Sequence, residues 1–138
     1  MTDDDLKSVT VTRDLPFPVD RVWRALTQAD LLSDWLMQTD FVPEVGRAFR
    51  FTADWGHVEG EVIEITPQKR LVYSWNAHDL RSTVTFTLTP TPEGTRLEMV
   101  QRGFRPDQGQ AYGGARFGWT RMFETLAALL AEHDKSEE

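Results

Sequence analysis

Residues 82–99 read STVTFTLTPTPEGTRLEM, and this stretch decides the fold. From Val84 to Leu88 apolar residues alternate with threonines, the pattern of a β-strand with one buried face. A segment rich in proline and glycine then interrupts the alternation, and Leu97 and Met99 resume it. The stretch therefore predicts two neighbouring antiparallel strands joined by a short turn.

The same alternation recurs upstream at intervals of roughly ten residues, which is typical of an antiparallel meander. Proline, glycine and acidic turn residues separate the segments. The candidate strands upstream are Val9–Leu15, Phe41–Val42, Phe49–Phe51, Val58–Thr66 and Leu71–Trp75.

Helical spacing appears in two places. After the first strand, Pro18 suits a first helical turn and begins one short helix, and a second is predicted from Asp30 to Trp35. Near the C-terminus, apolar residues from Trp119 to Leu130 form one stripe, which predicts a helix of about 16 to 20 residues. The glycines at 109, 113 and 114 are interpreted as a flexible segment that precedes this helix.

This order predicts an α+β protein with a curved antiparallel sheet of about six strands packed on the long C-terminal helix. Two short helices follow the first strand. Because one helix of ~10 Å diameter is too narrow to fill the concave face of a twisted sheet, we expect a cavity between them.

Composition limits the class of protein. The 138 residues are 40% hydrophobic and 27% charged, and no apolar run approaches the ~20 residues of a membrane span, so we expect one soluble domain without membrane insertion. A signal peptide is not apparent, which favours the cytoplasm. The absence of cysteine excludes disulfides, thiolate zinc sites and a cysteine nucleophile.

The net charge of −7 is concentrated in short acidic tails at 1–5 and 132–138. The remaining chain is nearly neutral and carries no basic stripe. Because binding to nucleic acid and to anionic membrane surfaces begins with cationic charge, neither partner is expected.

Aromatic density points to a ligand cavity. Five tryptophans, eight phenylalanines and two tyrosines favour a flat, hydrophobic small molecule, although for any one ring filling the core is the competing interpretation. The candidates share an inferred inward strand face or a place near the cavity mouth: Trp35, Phe51, Trp55, Trp75, Phe86, Met99, Gln101, Trp119 and Phe123. The amide of Gln101 is expected either to orient a polar group of the ligand or to meet water at the rim.

One ionisable cluster is a candidate for catalysis. His57, Glu59 and Glu61 share a strand face, so His57 or Glu61 can act as general acid or base if that face lines the cavity. A solvated surface hairpin is the alternative. The spacing of Asp54, His57 and Glu59 does not match a metal-binding motif, and we expect neither a metal nor a cofactor.

Several segments resemble the heat-shock-protein-90 ATPase activator homologue family, within the START-like (SRPBCC) superfamily that includes the birch-pollen allergen. They are FPVDRVWRALTQADLLSDWL (17–36), FVPEVGRAFRF (41–51), GEVIEITPQKRLVYSW (60–75), residues 82–99 and GWTRMFETLAALL (118–130). The resemblance implies a single START-like domain over 1–138, with a helix-grip fold around an apolar cavity. The eukaryotic co-chaperones of the family have an additional N-terminal domain for which 138 residues leave no room, so chaperone activation is not carried over.

Three functions remain open. The first is binding of a lipophilic or aromatic small molecule between the sheet and the C-terminal helix. The second is a cyclase- or hydrolase-like enzyme that uses the same cavity, and the third is a chaperone-associated protein-interaction module. A homodimer is compatible with each of them.

Overall fold

A computed structural model describes residues 6–54 and 56–136, of which the last four are described as backbone only. The elements are β1 (Lys7–Leu15), α1 (Val19–Thr27), α2 (Ala29–Trp35), β2 (Gln38–Thr39), β3 (Ala48–Ala53), β4 (Gly56–Thr66), β5 (Arg70–Ala77), β6 (Leu80–Thr91), β7 (Gly94–Phe104) and α3 (Gly109–Ser136). The predicted α+β architecture is confirmed, and a two-residue β2 brings the sheet to seven strands.

The sheet has the order β1-β7-β6-β5-β4-β3-β2, and all its pairs are antiparallel. Strands β2 to β7 form the predicted meander, while β1 crosses to pair with β7. In the stretch quoted first, Val84 pairs with Gln101 and Phe86 with Met99, so these side chains share one face. A register shift between Val62 and Glu64 interrupts the pairing of β4 with β5.

The inner face of the sheet carries the core, as the period-two pattern requires. Strand β5 contributes Leu71, Tyr73 and Trp75, and β6 contributes Val84, Phe86 and Leu88. Helix α3 crosses this face, packs against β1 and α2, and buries a stripe made of Trp119, Phe123, Leu126 and Leu130. These residues belong to one continuous hydrophobic cluster.

The two short helices begin and pack as their sequences predict. The carbonyl of Pro18 accepts hydrogen bonds from the backbone N–H groups of Arg21 and Val22 at 3.1 and 3.2 Å, which starts α1. The indole Nε1 of Trp35 donates to the carbonyl of Ala25 at 2.8 Å. This buried bond fixes α2 against α1.

Two predictions about the elements are wrong. Helix α3 has 28 residues and begins at Gly109, so the glycine-rich segment is helical and not a flexible approach to the helix. Helical geometry prevails there because Tyr112 and Ala115 pack on the core and stabilise turns that glycine disfavours. Phe41 is buried outside any strand, and β2 consists of Gln38 and Thr39 instead.

Among the residues that the structure describes, no helix has the length and apolar character needed to cross a membrane.

Candidate functional site

An apolar cleft of about 620 Å³ lies between the N-terminal half of α3 and the end of the sheet formed by β5 and β6. Ala53 at the end of β3, together with Ala77 and Leu80 of the β5–β6 hairpin, lines its sheet side. Leu36 and Met37, which follow α2, close it from another side. Each neighbouring element thus contributes small or apolar side chains.

Two indole rings form the floor of the cleft. Trp75 of β5 and Trp119 of α3 have ring centroids 5.1 Å apart at an interplanar angle of 53°, and both line the cleft. Phe86 supports Trp119 from the sheet, with centroids 5.8 Å apart in an edge-to-face arrangement. The floor is therefore a buried aromatic surface in a tilted geometry that aromatic rings favour.

A chain of hydrogen bonds fixes this floor. The indole Nε1 of Trp119 donates to Gln101 Oε1 at 2.8 Å, and Gln101 Nε2 donates to Ser82 Oγ at 2.9 Å. Ser82 Oγ in turn donates to the carbonyl of Trp75 at 2.7 Å. Because an indole N–H can only donate, it determines the orientation of the Gln101 amide and the direction of each later bond.

Gln101 retains hydrogen-bonding capacity. Its side chain is 1% exposed and lines the cleft. An amide nitrogen carries two hydrogens, and among the described residues only Ser82 accepts one from Gln101. Gln101 is thus a buried polar residue in a cleft whose other described lining residues are mostly small or apolar.

The helix wall is made of small residues. Ala111, Gly114, Ala115 and Gly118 occupy positions i, i+3, i+4 and i+7 on one face of α3, and Met122 continues that face. A glycine inside a helix costs about 1 kcal/mol relative to alanine. The wall therefore carries no large side chain at Gly114 and Gly118, and each glycine makes the helix less stable than alanine would.

The ionisable groups of the described cleft residues lie at its rim. His78 and Asp79 form the exposed turn of the β5–β6 hairpin, and His78 has a φ of 54°. A carboxylate oxygen of Asp79 lies 3.2 Å from an Arg105 guanidinium nitrogen. The interior of the cleft is consequently suited to an uncharged ligand.

The structure divides the predicted cavity residues into three groups. Trp75, Gln101 and Trp119 line the cleft. The second group is buried in the core and does not reach the cleft: Trp35, Phe51, Phe86, Met99 and Phe123. Trp55 lies outside the described residues.

Of the two alternatives for His57 and Glu61, the structure places both residues on the outer face of the sheet. Both side chains are exposed, whereas Val58 and Val62 of the same strand are buried. The face that carries His57 is the outer face, where Glu59 Oε1 lies 3.7 Å from His57 Nε2. The alternative of a solvated surface hairpin applies. Within the described residues, no group of three or more His, Cys, Asp or Glu is placed to hold a metal ion.

Tyr73, Ser82 and the small residues of α3 were not among the site residues predicted from the sequence. Tyr73 lies within the aromatic core, where its ring centroid is 5.0 Å from that of Phe49. Its hydroxyl has no hydrogen-bond partner among the described residues, and burial raises the pKa of this phenol. The small residues were detectable, because the apolar stripe of the helix continues backward from Trp119 through Ala115 to Ala111 at helical spacing.

Comparisons with known proteins agree with this architecture. Residues 16–131 match the family model described as Activator of Hsp90 ATPase homolog 1-like protein. The solved structure of MLL2253 from Mesorhizobium loti is 52% identical with a TM-score of 0.89, and the match covers 91% of this chain and 98% of that one. NE0264 from Nitrosomonas europaea is 25% identical with a TM-score of 0.78, and the coverage is 96% and 99%.

A further similar structure is DynU16, a protein from the dynemicin biosynthetic locus. It is 27% identical with a TM-score of 0.82, and the match covers 90% of this chain and 47% of DynU16. This chain therefore spans about half the length of DynU16. No curated protein matches the sequence.

Proposed function

The chain belongs to the Activator of Hsp90 ATPase homolog 1-like family, and from this premise we propose that it binds a lipophilic or aromatic small molecule in the cleft between α3 and the sheet. One observation carries the proposal: an apolar cleft of about 620 Å³ with two indoles on its floor. Its size is within the range of about 300–1,000 Å³ that accommodates small ligands.

The affinity expected from such a cleft is moderate. A ligand with about 15 non-hydrogen atoms, each contributing roughly 0.5 kcal/mol, binds with about 7 to 8 kcal/mol. That free energy corresponds to a Kd in the micromolar range. Titration calorimetry and fluorescence can measure binding of this strength directly.

The two alternative functions have less support. The enzymatic alternative depends on His57 and Glu61, which lie on the outer face of the sheet and not in the cleft. The chaperone-associated alternative rests on the family name alone. DynU16 is placed in a biosynthetic locus, and this also favours a role with small molecules.

The proposal is tested by filling the cleft without removing a core side chain. In Ala115→Leu the larger side chain enters the cleft, whereas in Ala128→Leu the same change occurs on an exposed face of the same helix. Fluorescence titration with N-phenyl-1-naphthylamine, an uncharged lipophilic probe, is carried out on the wild type and both variants. Thermal unfolding of each variant verifies that it is folded.

We expect saturable one-to-one binding to the wild type and to Ala128→Leu, and at least tenfold weaker binding to Ala115→Leu. Ala111→Leu, which also adds bulk to the helix wall, serves as a second blocking variant if Ala115→Leu unfolds. Lack of saturation with the wild type, or equal affinity in all variants, would overturn the proposal.

A further inference from the structure

A polar groove of about 460 Å³ lies on the outer face of the sheet, where β4, β5 and β6 run side by side. Glu59 of β4 pairs with Asn76 of β5, and Asn76 pairs with Arg81 of β6. Side chains in one such row stand on the same face of a sheet. The residues that line the groove are Gly56, His57, Glu59, Asn76, His78 and Arg81.

The guanidinium of Arg81 is held in place by the backbone. Its Nη1 donates to the carbonyl of His78 at 2.9 Å and to the carbonyl of Leu80 at 3.1 Å, which fixes it beside the turn of the β5–β6 hairpin. In the part of the chain that the structure describes, no carboxylate pairs with Arg81. The Nε and Nη2 edge of a guanidinium is the one that binds two oxygens of an anion, and here that edge has no protein acceptor.

Asn76 and His57 add donors from the two neighbouring strands. The side-chain amide of Asn76 is half-buried and has no hydrogen-bond partner within the described ranges. Continuing the register of β4 with β5 by two residues places His57 beside the turn that begins at His78. His57 Nε2 lies 3.7 Å from Glu59 Oε1, too far for a hydrogen bond, so this contact does not use a ring N–H. Three donor side chains from three strands therefore surround one groove.

The charges around the groove favour an anion. Glu59 is the one carboxylate among the described lining residues, and its Oε1 lies 2.6 Å from Arg50 Nη2. Arg50 balances this negative charge, which leaves the positive charge of Arg81 without a counter-ion of the protein. The chain as a whole carries a net charge of −7, so its overall charge does not attract anions and binding depends on these local donors.

We propose that this groove binds the phosphate group of a small phosphate monoester. A phosphate directs its oxygens to three sides and matches donors on three strands, whereas the two oxygens of a carboxylate lie in one plane. The groove is within the range of about 300–1,000 Å³ that accommodates small ligands, so it has room for an organic group beside the phosphate. Arg81 supplies the paired contact, and Asn76 and His57 each supply a further donor.

Three small anions test the chemistry of the site. Phenyl phosphate, inorganic phosphate and benzoate are titrated into the ¹⁵N-labelled protein, and the Arg81 Nε–H and the Asn76 side-chain amide are followed by NMR. We expect phenyl phosphate to shift both signals with saturation. Its Kd should be at least fivefold lower than that of benzoate, which lacks the third oxygen, and at least threefold lower than that of inorganic phosphate, which lacks the organic group.

A matched set of variants tests the donors. Arg81→Gln and Asn76→Ala should each weaken the binding of phenyl phosphate at least fivefold. Arg70→Gln removes the same charge from an ion pair with Glu64 outside the groove, and binding should stay within twofold of the wild type. Glu59→Gln removes the carboxylate of the groove and should tighten binding at least twofold. Thermal unfolding verifies that each variant is folded, and Glu59→Gln tests the site even if Arg81→Gln unfolds.

The outcomes are independent of the proposed function, because Ala115→Leu blocks the cleft on the other side of the sheet and should leave phenyl phosphate binding unchanged. A wild type whose signals do not saturate below about 10 mM phenyl phosphate would overturn the inference. Equal losses in Arg81→Gln and Arg70→Gln would also overturn it. Benzoate or inorganic phosphate binding as tightly as phenyl phosphate would exclude the monoester.

Discussion

Tyr73 is a fully buried phenol among phenylalanines. Its ring centroid lies between 5.0 and 6.0 Å from those of Phe41, Phe49, Phe51 and Phe86. The aromatic ring strengthens the core, but the hydroxyl has no partner among the described residues. A buried hydroxyl without a hydrogen bond lowers the free energy of unfolding.

We therefore predict that Tyr73→Phe raises the free energy of unfolding at neutral pH by about 1 kcal/mol. The pH dependence should also change. Burial raises the pKa of Tyr73 in the folded state above its ordinary value of 10.0, so the unfolded chain releases this proton first. Wild-type stability then falls above pH 10, by up to about 1.4 kcal/mol per pH unit from this group.

Urea unfolding of both proteins between pH 7 and pH 11 measures this effect, because the difference between them isolates Tyr73. Parallel curves throughout that range would contradict the prediction. A variant that is less stable than the wild type at pH 7 would show instead that the hydroxyl has a partner.

At the residue scale, the sequence predicts which residues are polar or aromatic but not which atoms they meet. Gln101 was identified because it interrupts the apolar face of Leu97 and Met99. Its bond to Trp119 joins residues 18 positions apart, and that distance depends on how α3 crosses β7. The alternation in β4 separates His57 from Val58 but leaves open which of the two faces is buried, and pairing with β3 decides it by placing Val58 opposite the buried Phe51.

At the element scale, a glycine in strand β4 and a glycine in helix α3 differ in the space around them. Gly60 of β4 pairs with Phe49 of β3, and a Cβ at Gly60 would collide with the carbonyl oxygen of Ser74 and lie 2.6 Å from the Phe49 ring. Gly60 thus permits a close approach between the sheet backbone and an aromatic ring. A Cβ at Gly113 meets no other atom within 4 Å.

We predict opposite effects for the same substitution at these two positions. Gly60→Ala should lower the free energy of unfolding by about 2 to 3 kcal/mol, because the backbone of β5 must move. Gly113→Ala should raise it by about 0.5 to 1 kcal/mol. Chemical denaturation measures both values, and a stabilising Gly60→Ala would contradict the packing described.

The helices and strands themselves were largely predictable. Their periodicity identified α1, α2 and the longer strands, and Pro18 marked the start of α1. The start of α3 was not predictable from propensity, because four glycines between 109 and 118 disfavour a helix. Tertiary contacts supply the missing stability, for instance between Tyr112 and Phe104, whose ring centroids lie 5.6 Å apart.

On the scale of the whole molecule, the cavity was expected between the sheet and the C-terminal helix, and the cleft in the structure lies along only part of that helix. The C-terminal half of α3 packs closely, since Phe123, Leu126 and Leu130 are buried there. The cleft is confined to the N-terminal half, where the wall residues are small. The volume of the side chains along α3 therefore determines where the space between the helix and the sheet is filled and where it stays open.

This division predicts unequal stability along α3. The segment Gly109–Gly118 has glycines and exposed side chains, whereas Trp119 and the residues after it are held by the core. Amide hydrogens of the first segment should exchange at least about tenfold faster than those between 119 and 130, because local opening there breaks few buried contacts.

A ligand in the cleft should reverse this difference. If opening of Gly109–Gly118 requires release of the ligand, a probe at 100 times its Kd slows exchange of these amides by up to about 100-fold. Hydrogen–deuterium exchange with mass spectrometry, with and without N-phenyl-1-naphthylamine, measures both effects. Uniform exchange along α3 in the free protein would contradict the division of the helix. If the probe binds but amide exchange of Gly109–Gly118 does not change, the probe binds away from the helix wall of the cleft.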